Sequence, residues 1–235
     1  MSSLIMLNWK RPENVKKLIN HYQSMDCIDE IIISNGNKDT AITNDTNKVR
    51  IFNDYPEKGF DVFGLDRRFV CGLRAKYNTL IICDDDMQLV EKDVEKILHI
   101  YHQNDKRIVG NKGRDLRNRY EPTDVWGEQT DIILTQFLVC QKKMCHLFFL
   151  CKPMVEEIYK SGTPYGNGED IFFSFIVGIY FRTKHCSVRT NFKQLPEPHA
   201  ISHLPNHRSY RDKLCEFLIS NKVLFEEFIH TIALS

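Results

Sequence analysis

Three consecutive aspartates, Asp84-Asp85-Asp86, close the apolar run Thr79-Leu80-Ile81-Ile82-Cys83. Such a run predicts a buried strand, which leaves the carboxylates at its C-terminal edge, where open α/β sheets hold their ligands. Adjacent carboxylates repel one another, and a cation offsets that cost. Hard oxygen donors suit Mn2+ or Mg2+, and Mg2+ is commonly shared between one or two carboxylates and substrate phosphates. The triplet therefore predicts a metal–diphosphate site, with a solvated acidic turn as the alternative. A second acidic pair, Glu169-Asp170, follows Gly166-Asn167-Gly168 and opens an apolar stretch. Carboxylates are favoured at a helix N-terminus, so this pair is either chemistry or a plain helix cap.

The elements that must position these groups alternate along the first half. Leu4 to Asn8 reads as a short strand, and Arg11-Pro12-Glu13 opens a helix in which Val15, Leu18, Ile19 and Tyr22 recur at helical spacing. Glu30 to Ser34 is a second strand, ended by the turn Asn35-Gly36-Asn37, and Val49 to Phe52 is a third. Residues 63–77 read as a helix leading into the aspartate strand. Alternation of this kind implies parallel βαβ units. All strand ends then meet at one edge. Asn8 to Arg11 and Asn35 to Asn37 offer amides and backbone groups suited to a nucleobase and ribose. Arg67 and Arg68 either serve the phosphates, pair with the acidic cluster, or lie on a solvated helix face.

The second half is less regular. Residues 90–103 predict an amphipathic helix, 107–110 a strand, 131–140 a strand, 143–159 a helix broken at Pro153, and 171–179 an apolar helix. Residues 111–129 are polar, and Tyr120 and Trp126 within them are either a sugar-stacking platform or packing. Residues 189–207 read as a loop and 210–230 as helix. His199, His203 and His207 are spaced by four, but Pro198 and Pro205 break any helix, leaving at most His203 as a ligand. One domain over 1–235 is expected, with a nucleotide-binding half over about 1–90 and an acceptor half over about 91–235.

Composition excludes several classes. A net charge of +1 argues against electrostatically driven binding to nucleic acid or membranes. The longest apolar stretches fall far short of the ~20 residues of a membrane span. Eight cysteines without a CxxC pair read as free thiols. With no leader-like segment after Met1, the expectation is a soluble protein of a reducing, cytoplasmic compartment.

The pattern resembles GT-A glycosyltransferases carrying a DxD-type motif, and more narrowly the C-terminal glycosyltransferase domain of exostosins and exostosin-like enzymes. Five stretches carry the resemblance: Met6-Leu7-Asn8-Trp9-Lys10-Arg11, the aspartate triplet, Arg107-Ile108-Val109-Gly110 with Gly113-Arg114, Ile133-Leu134-Thr135, and Gly168-Glu169-Asp170-Ile171. The resemblance implies an α/β, Rossmann-like GT-A domain with a mostly parallel central sheet and helices on both faces. It implies transfer of a hexosyl or N-acetylhexosaminyl group from a nucleotide diphosphate donor, most simply a UDP-sugar, to a hydroxyl acceptor, with retention. Asn8, Arg11, Asn35, Arg68, Asp84 and Asp85 would bind the donor, and Asp86 would be the principal ligand of Mn2+ or Mg2+, with Asp84 and His203 nearby. Asp170, with Glu169, would lie at the reacting carbon, Arg208 over the diphosphate, and Thr135 and Trp126 on the acceptor side. Where the family has Cys before Glu-Asp this chain has Gly168, so Cys215 loses its implied disulfide partner. Two rivals share much of this pattern: a sugar-nucleotidyltransferase, disfavoured by the glycine-free loop after the first strand, and a non-catalytic glycosyltransferase-like binding protein.

Overall fold

A computed structural model describes residues 1–37, 39–40, 42–43, 46–53, 64–117, 119–161, 167–197, 201–203 and 205–234. Gly166, Pro198, His199 and the first residue of the helix expected over 63–77 lie outside these. Twelve strands are present among the described residues: β1 Ser2–Asn8, β2 Glu30–Asn35, β3 Val49–Phe52, β4 Thr79–Cys83, β5 Met87–Leu89, β6 Val109–Gly110, β7 Gly113–Arg114, β8 Gly127–Thr130, β9 Ile132–Ile133, β10 Phe137–Gln141, β11 His185–Ser187 and β12 Phe192–Gln194. The helices are α1 Pro12–Tyr22, α2 Arg67–Arg74, α3 Glu91–Gln103, α4 Lys142–Cys151, α5 Glu156–Ser161, α6 Glu169–Phe181, α7 His207–Ser220 and α8 Lys222–Leu234.

Eight strands form one sheet in the order β3-β2-β1-β4-β10-β6-β11-β8. Four of its seven pairings are parallel, and only β10 and β8 run against the other six strands. Alternate side chains of the central strands leave opposite faces. Ile5, Ile32, Leu80, Ile82 and Leu138 pack with Phe69, Phe148, Phe172 and Phe225 of α2, α4, α6 and α8. Leu4, Met6, Ile31, Ile33, Ile81 and Val139 pack instead with Val15 and Leu18 of α1 and Val94 and Ile97 of α3. Burial on both faces is why these strands read as continuous apolar runs.

Register sets the functional edge. Asn8 stands opposite Asn35, Met6 opposite Cys83, and Cys83 opposite Phe137. Asn8, Asn35 and Asp84 therefore leave the sheet together.

Three expected elements differ. The strand expected over 131–140 is two strands, β9 and β10, because residues 134–136 leave the ladder to form a cleft wall, with Gln136 O accepting from Asp84 N–H at 3.0 Å. The helix expected over 210–230 is broken at Asn221, whose side-chain amide donates to Phe217 O at 2.8 Å. The loop expected over 189–207 contains β12, which pairs with β5. Pro153 breaks its helix as expected, through a tight turn over Lys152–Val155. All eight cysteines are free, and no helix among the described residues is long and apolar enough to cross a membrane.

Candidate active site

The cleft at this edge has a volume of about 710 Å3. Its walls come from the ends of β1 and β4, the turn before α2, residues 134–136, and the starts of α6 and α7. Asp84, Asp85 and Asp86 line one side; Glu169 and Asp170 line the other. Three guanidinium groups hold these five carboxylates.

Arg11 spans two of them. Its Nη2 is 2.5 Å from Asp85 Oδ1, its Nε donates to Asp85 Oδ2 at 3.1 Å, and its Nη1 is 2.6 Å from Asp86 Oδ2. Arg68 crosses the floor of the cleft, with Nη1 3.0 Å from Asp84 Oδ1 and Nη2 3.6 Å from Glu169 Oε1. Arg211 serves Asp170: Nη2 lies 2.8 Å from Asp170 Oδ2, Nη1 donates to Asn167 Oδ1 at 3.2 Å, and the cation sits 4.3 Å from the Tyr120 ring centroid.

Burial dominates the electrostatics. It pushes the Asp85 carboxyl up to about 7, against Arg11 and with help from Asp84 and Asp86. It likewise raises Glu169 to about 7, with Arg68 opposing and Asp170 assisting. Asp84 is raised too, by burial first, then opposed by Arg68. At Arg68 burial works against the charge, but Asp84 and Glu169 outweigh it and raise the guanidinium.

Local sequence explains the geometry. Gly168 takes φ +102°, turning the chain into α6 so that Glu169 and Asp170 occupy its first turn. Asp170 Oδ1 accepts from Ile171 N–H at 2.8 Å, and Thr135 Oγ1 donates to Glu169 Oε1 at 3.1 Å.

Most expected site residues converge. Asn8, Arg11, Arg68, Asp84, Asp85, Asp86, Thr135, Glu169, Asp170 and His203 all line the cleft. Asn35 stands one layer behind, its Oδ1 accepting from Asn8 Nδ2 at 2.7 Å. Two expected residues are not brought in. Arg208 is exposed and does not line the cleft; three residues along, on the inward face of α7, Arg211 does. Trp126 is absent from the lining and packs under Arg189, 5.4 Å from ring centroid to guanidinium, whereas Tyr120 lines the cleft. The missed Arg211 had a sequence signal: it shares the helical stripe of Leu214, Cys215 and Leu218, where an arginine needs a buried partner. Gln136 had none, since only the break between β9 and β10 turns it to the cleft.

Among the described residues no group of three or more His, Cys, Asp or Glu side chains is arranged to hold a metal ion. The donor chemistry still fits one. Asp84 and Asp86 present hard oxygens at the cleft, and Mg2+-type ions take one or two carboxylates and complete their shell with water and substrate phosphates.

Comparison with known proteins places the chain in a family. A mannosyltransferase from Pyrobaculum calidifontis, solved with GDP-Man and Mn2+, superposes with a TM-score of 0.56 at 11% identity, over 99% of this chain and 68% of that one. That likeness concerns the fold, which is GT-A. A glycosyltransferase family protein 64 C3 from Arabidopsis thaliana is 29% identical over 125 residues, 50% of this chain. The match spans 37% of that relative's length. The sequence model of the glycosyl transferase family 64 domain matches residues 1–223. The chain belongs to glycosyl transferase family 64.

Proposed function

We propose that this chain moves a sugar from a nucleotide diphosphate donor, bound with Mn2+ or Mg2+, to a hydroxyl acceptor with retention of configuration. The observation that carries the reading is the facing of two acidic groups, residues 84–86 and 169–170, across one cleft with Arg68 between them.

The base and ribose belong at the ends of β1 and β2, where Asn8 Oδ1 is buried without a hydrogen-bond partner and can accept from a base N–H. Asp86 and Asp84 would hold the metal, which neutralises charge as the diphosphate leaves. Arg67 and His203, both in the lining, would face that diphosphate.

Asp170 is the group at the reacting carbon. Arg211 and the Ile171 N–H fix both its oxygens, so it presents a set orientation rather than a free rotor. In a retaining reaction it stabilises the cationic sugar while the leaving phosphate takes the acceptor proton. Glu169, bonded by Thr135 and facing Arg68, holds the floor of the cleft. The acceptor enters past Tyr120 and Thr135.

The narrower likeness to exostosins favours UDP-sugars, while the archaeal structural neighbour was solved with GDP-Man. A panel of UDP- and GDP-sugars, assayed for Mn2+-dependent release of nucleotide, tests both. Turnover of a donor that disappears in Asp86→Ala supports the reading; no turnover, with UDP and Mn2+ binding unchanged in Asp86→Ala, refutes it.

A further inference from the structure

Arg11 differs from the other two guanidinium groups of the cleft. The side chains of Arg68 and Arg211 are 5% and 6% exposed, whereas that of Arg11 is 19% exposed. Its backbone belongs to the start of α1, where its carbonyl accepts from Asn14 and Val15 N–H at 3.1 and 3.2 Å. Among the described residues its side chain is anchored by carboxylates alone: three of its donors go to Asp85 and Asp86. The guanidinium can therefore swing away without disturbing the helix.

The charges of the cleft sharpen this. Among the described residues its lining carries six carboxylates and six Lys or Arg side chains, so their formal charge sums to zero with histidine neutral. A divalent cation alone would leave a partly desolvated site strongly positive, and a nucleotide diphosphate alone would leave it negative. The two together restore balance.

We infer that Arg11 is an internal counter-cation that competes with the divalent metal for Asp85 and Asp86, and so couples metal binding to nucleotide binding. This rests on the metal–diphosphate reading of the cleft and adds a regulation to it. A metal that takes both Asp85 and Asp86 displaces Arg11 and leaves its charge without a carboxylate partner. When a diphosphate arrives with the metal, its oxygens give the released guanidinium a new acceptor of the geometry that arginine forks suit. Linkage makes the coupling reciprocal: nucleotide tightens metal, and metal tightens nucleotide by the same factor.

The test is the affinity for Mn2+ itself, followed by electron paramagnetic resonance of free Mn2+, with no sugar donor present. Arg11→Gln removes the competitor. With the charge-assisted hydrogen bonds to Asp85 and Asp86 gone, Mn2+ should bind about tenfold tighter or more without nucleotide. The ratio of affinities with and without UDP or GDP should shrink correspondingly. Arg11→Lys keeps the charge but loses the fork, and should fall between the two; it also carries the test if thermal melting shows Arg11→Gln unfolded. Asp86→Asn should bind Mn2+ weakly whatever occupies position 11. Mn2+ affinity that is unchanged or weaker in both Arg11 variants, while Asp86→Asn still weakens binding, overturns the competition and leaves the metal site standing. No Mn2+ binding to the wild-type chain, with or without nucleotide, overturns both.

Discussion

Arg68 Nη2 lies 3.6 Å from Glu169 Oε1 while Nη1 of the same side chain is 3.0 Å from Asp84 Oδ1. A single buried guanidinium from α2 thus joins the end of β4 to the start of α6, two elements that bring the opposite walls of the cleft. Removing it would leave two carboxylates without their counter-charge in a poorly solvated floor. Arg68→Met should cost about 3–5 kcal/mol of stability by urea denaturation. Adding Glu169→Gln to that variant should recover part of the loss, since it removes one of the orphaned charges.

Asp170 should separate binding from chemistry. Arg211 holds one of its oxygens and the Ile171 N–H the other, so Asp170→Asn preserves shape while removing the charge. Turnover of the best donor should fall by about 10²–10³ while nucleotide affinity, measured by calorimetry, moves little. A comparable loss of nucleotide affinity would place Asp170 in donor binding instead.

His185 is an acid-sensitive point in the core. Its Nδ1 accepts from Ile108 N–H at 3.2 Å, which puts the proton on Nε2, 2.8 Å from Ser174 O. Its pKa is lowered from 6.5 to about 4, chiefly by burial and also by Lys184 and Arg107, with the Ser174 carbonyl and Asp131 acting in the opposite direction. A folded pKa below the unfolded one stabilises above the unfolded value and is lost as pH falls through the folded one. The wild type should therefore lose on the order of 3 kcal/mol between about pH 6.5 and 4 that a His185→Gln variant does not lose. Parallel denaturant titrations of the two proteins across that window provide the measurement.

Two glycines with left-handed backbones make a matched pair. Gly168 at φ +102° opens α6, and a Cβ there would stand 2.6 Å from Leu214 Cδ2. Gly127 at φ +106° has nothing within 4 Å of that position. Gly127→Ala should show only the backbone penalty, about 1–2 kcal/mol. Gly168→Ala adds a clash with α7, so its melting temperature should fall further and its activity with it. Equal melting temperatures would remove the packing argument.

Those residues show why some of the site was legible and some was not. Asp84-Asp85-Asp86 and Glu169-Asp170 stand out because an element border and a charge run coincide in the sequence. The central strands were legible because both of their faces are buried. Arg211 was harder, because its role comes from Asp170 and Tyr120, reached only through the packing of α7 on α6. The family resemblance points to Arg208, and the two lie on different sides of one helix, a difference that helical phase determines and composition does not. Residues 131–140 read as one apolar strand because nothing local marks the exit of Thr135 and Gln136; the hydrogen bond from Asp84 N–H that holds them there comes from fifty residues upstream.

The antiparallel β10 has a consequence for how the chain reaches this state. It fills the place beside β4, pairing residue by residue from Thr79 to Cys83, yet it is synthesised more than fifty residues later. Until it arrives, the aspartate strand offers a bare, β-branched edge of the sort that recruits other chains. A fragment ending near residue 90 should for that reason precipitate rather than bind nucleotide, and productive folding should wait for the middle of the chain. The end of the cleft that carries Asp84 to Asp86 is in this sense a late product of folding, complete only when β10 has closed the sheet behind it.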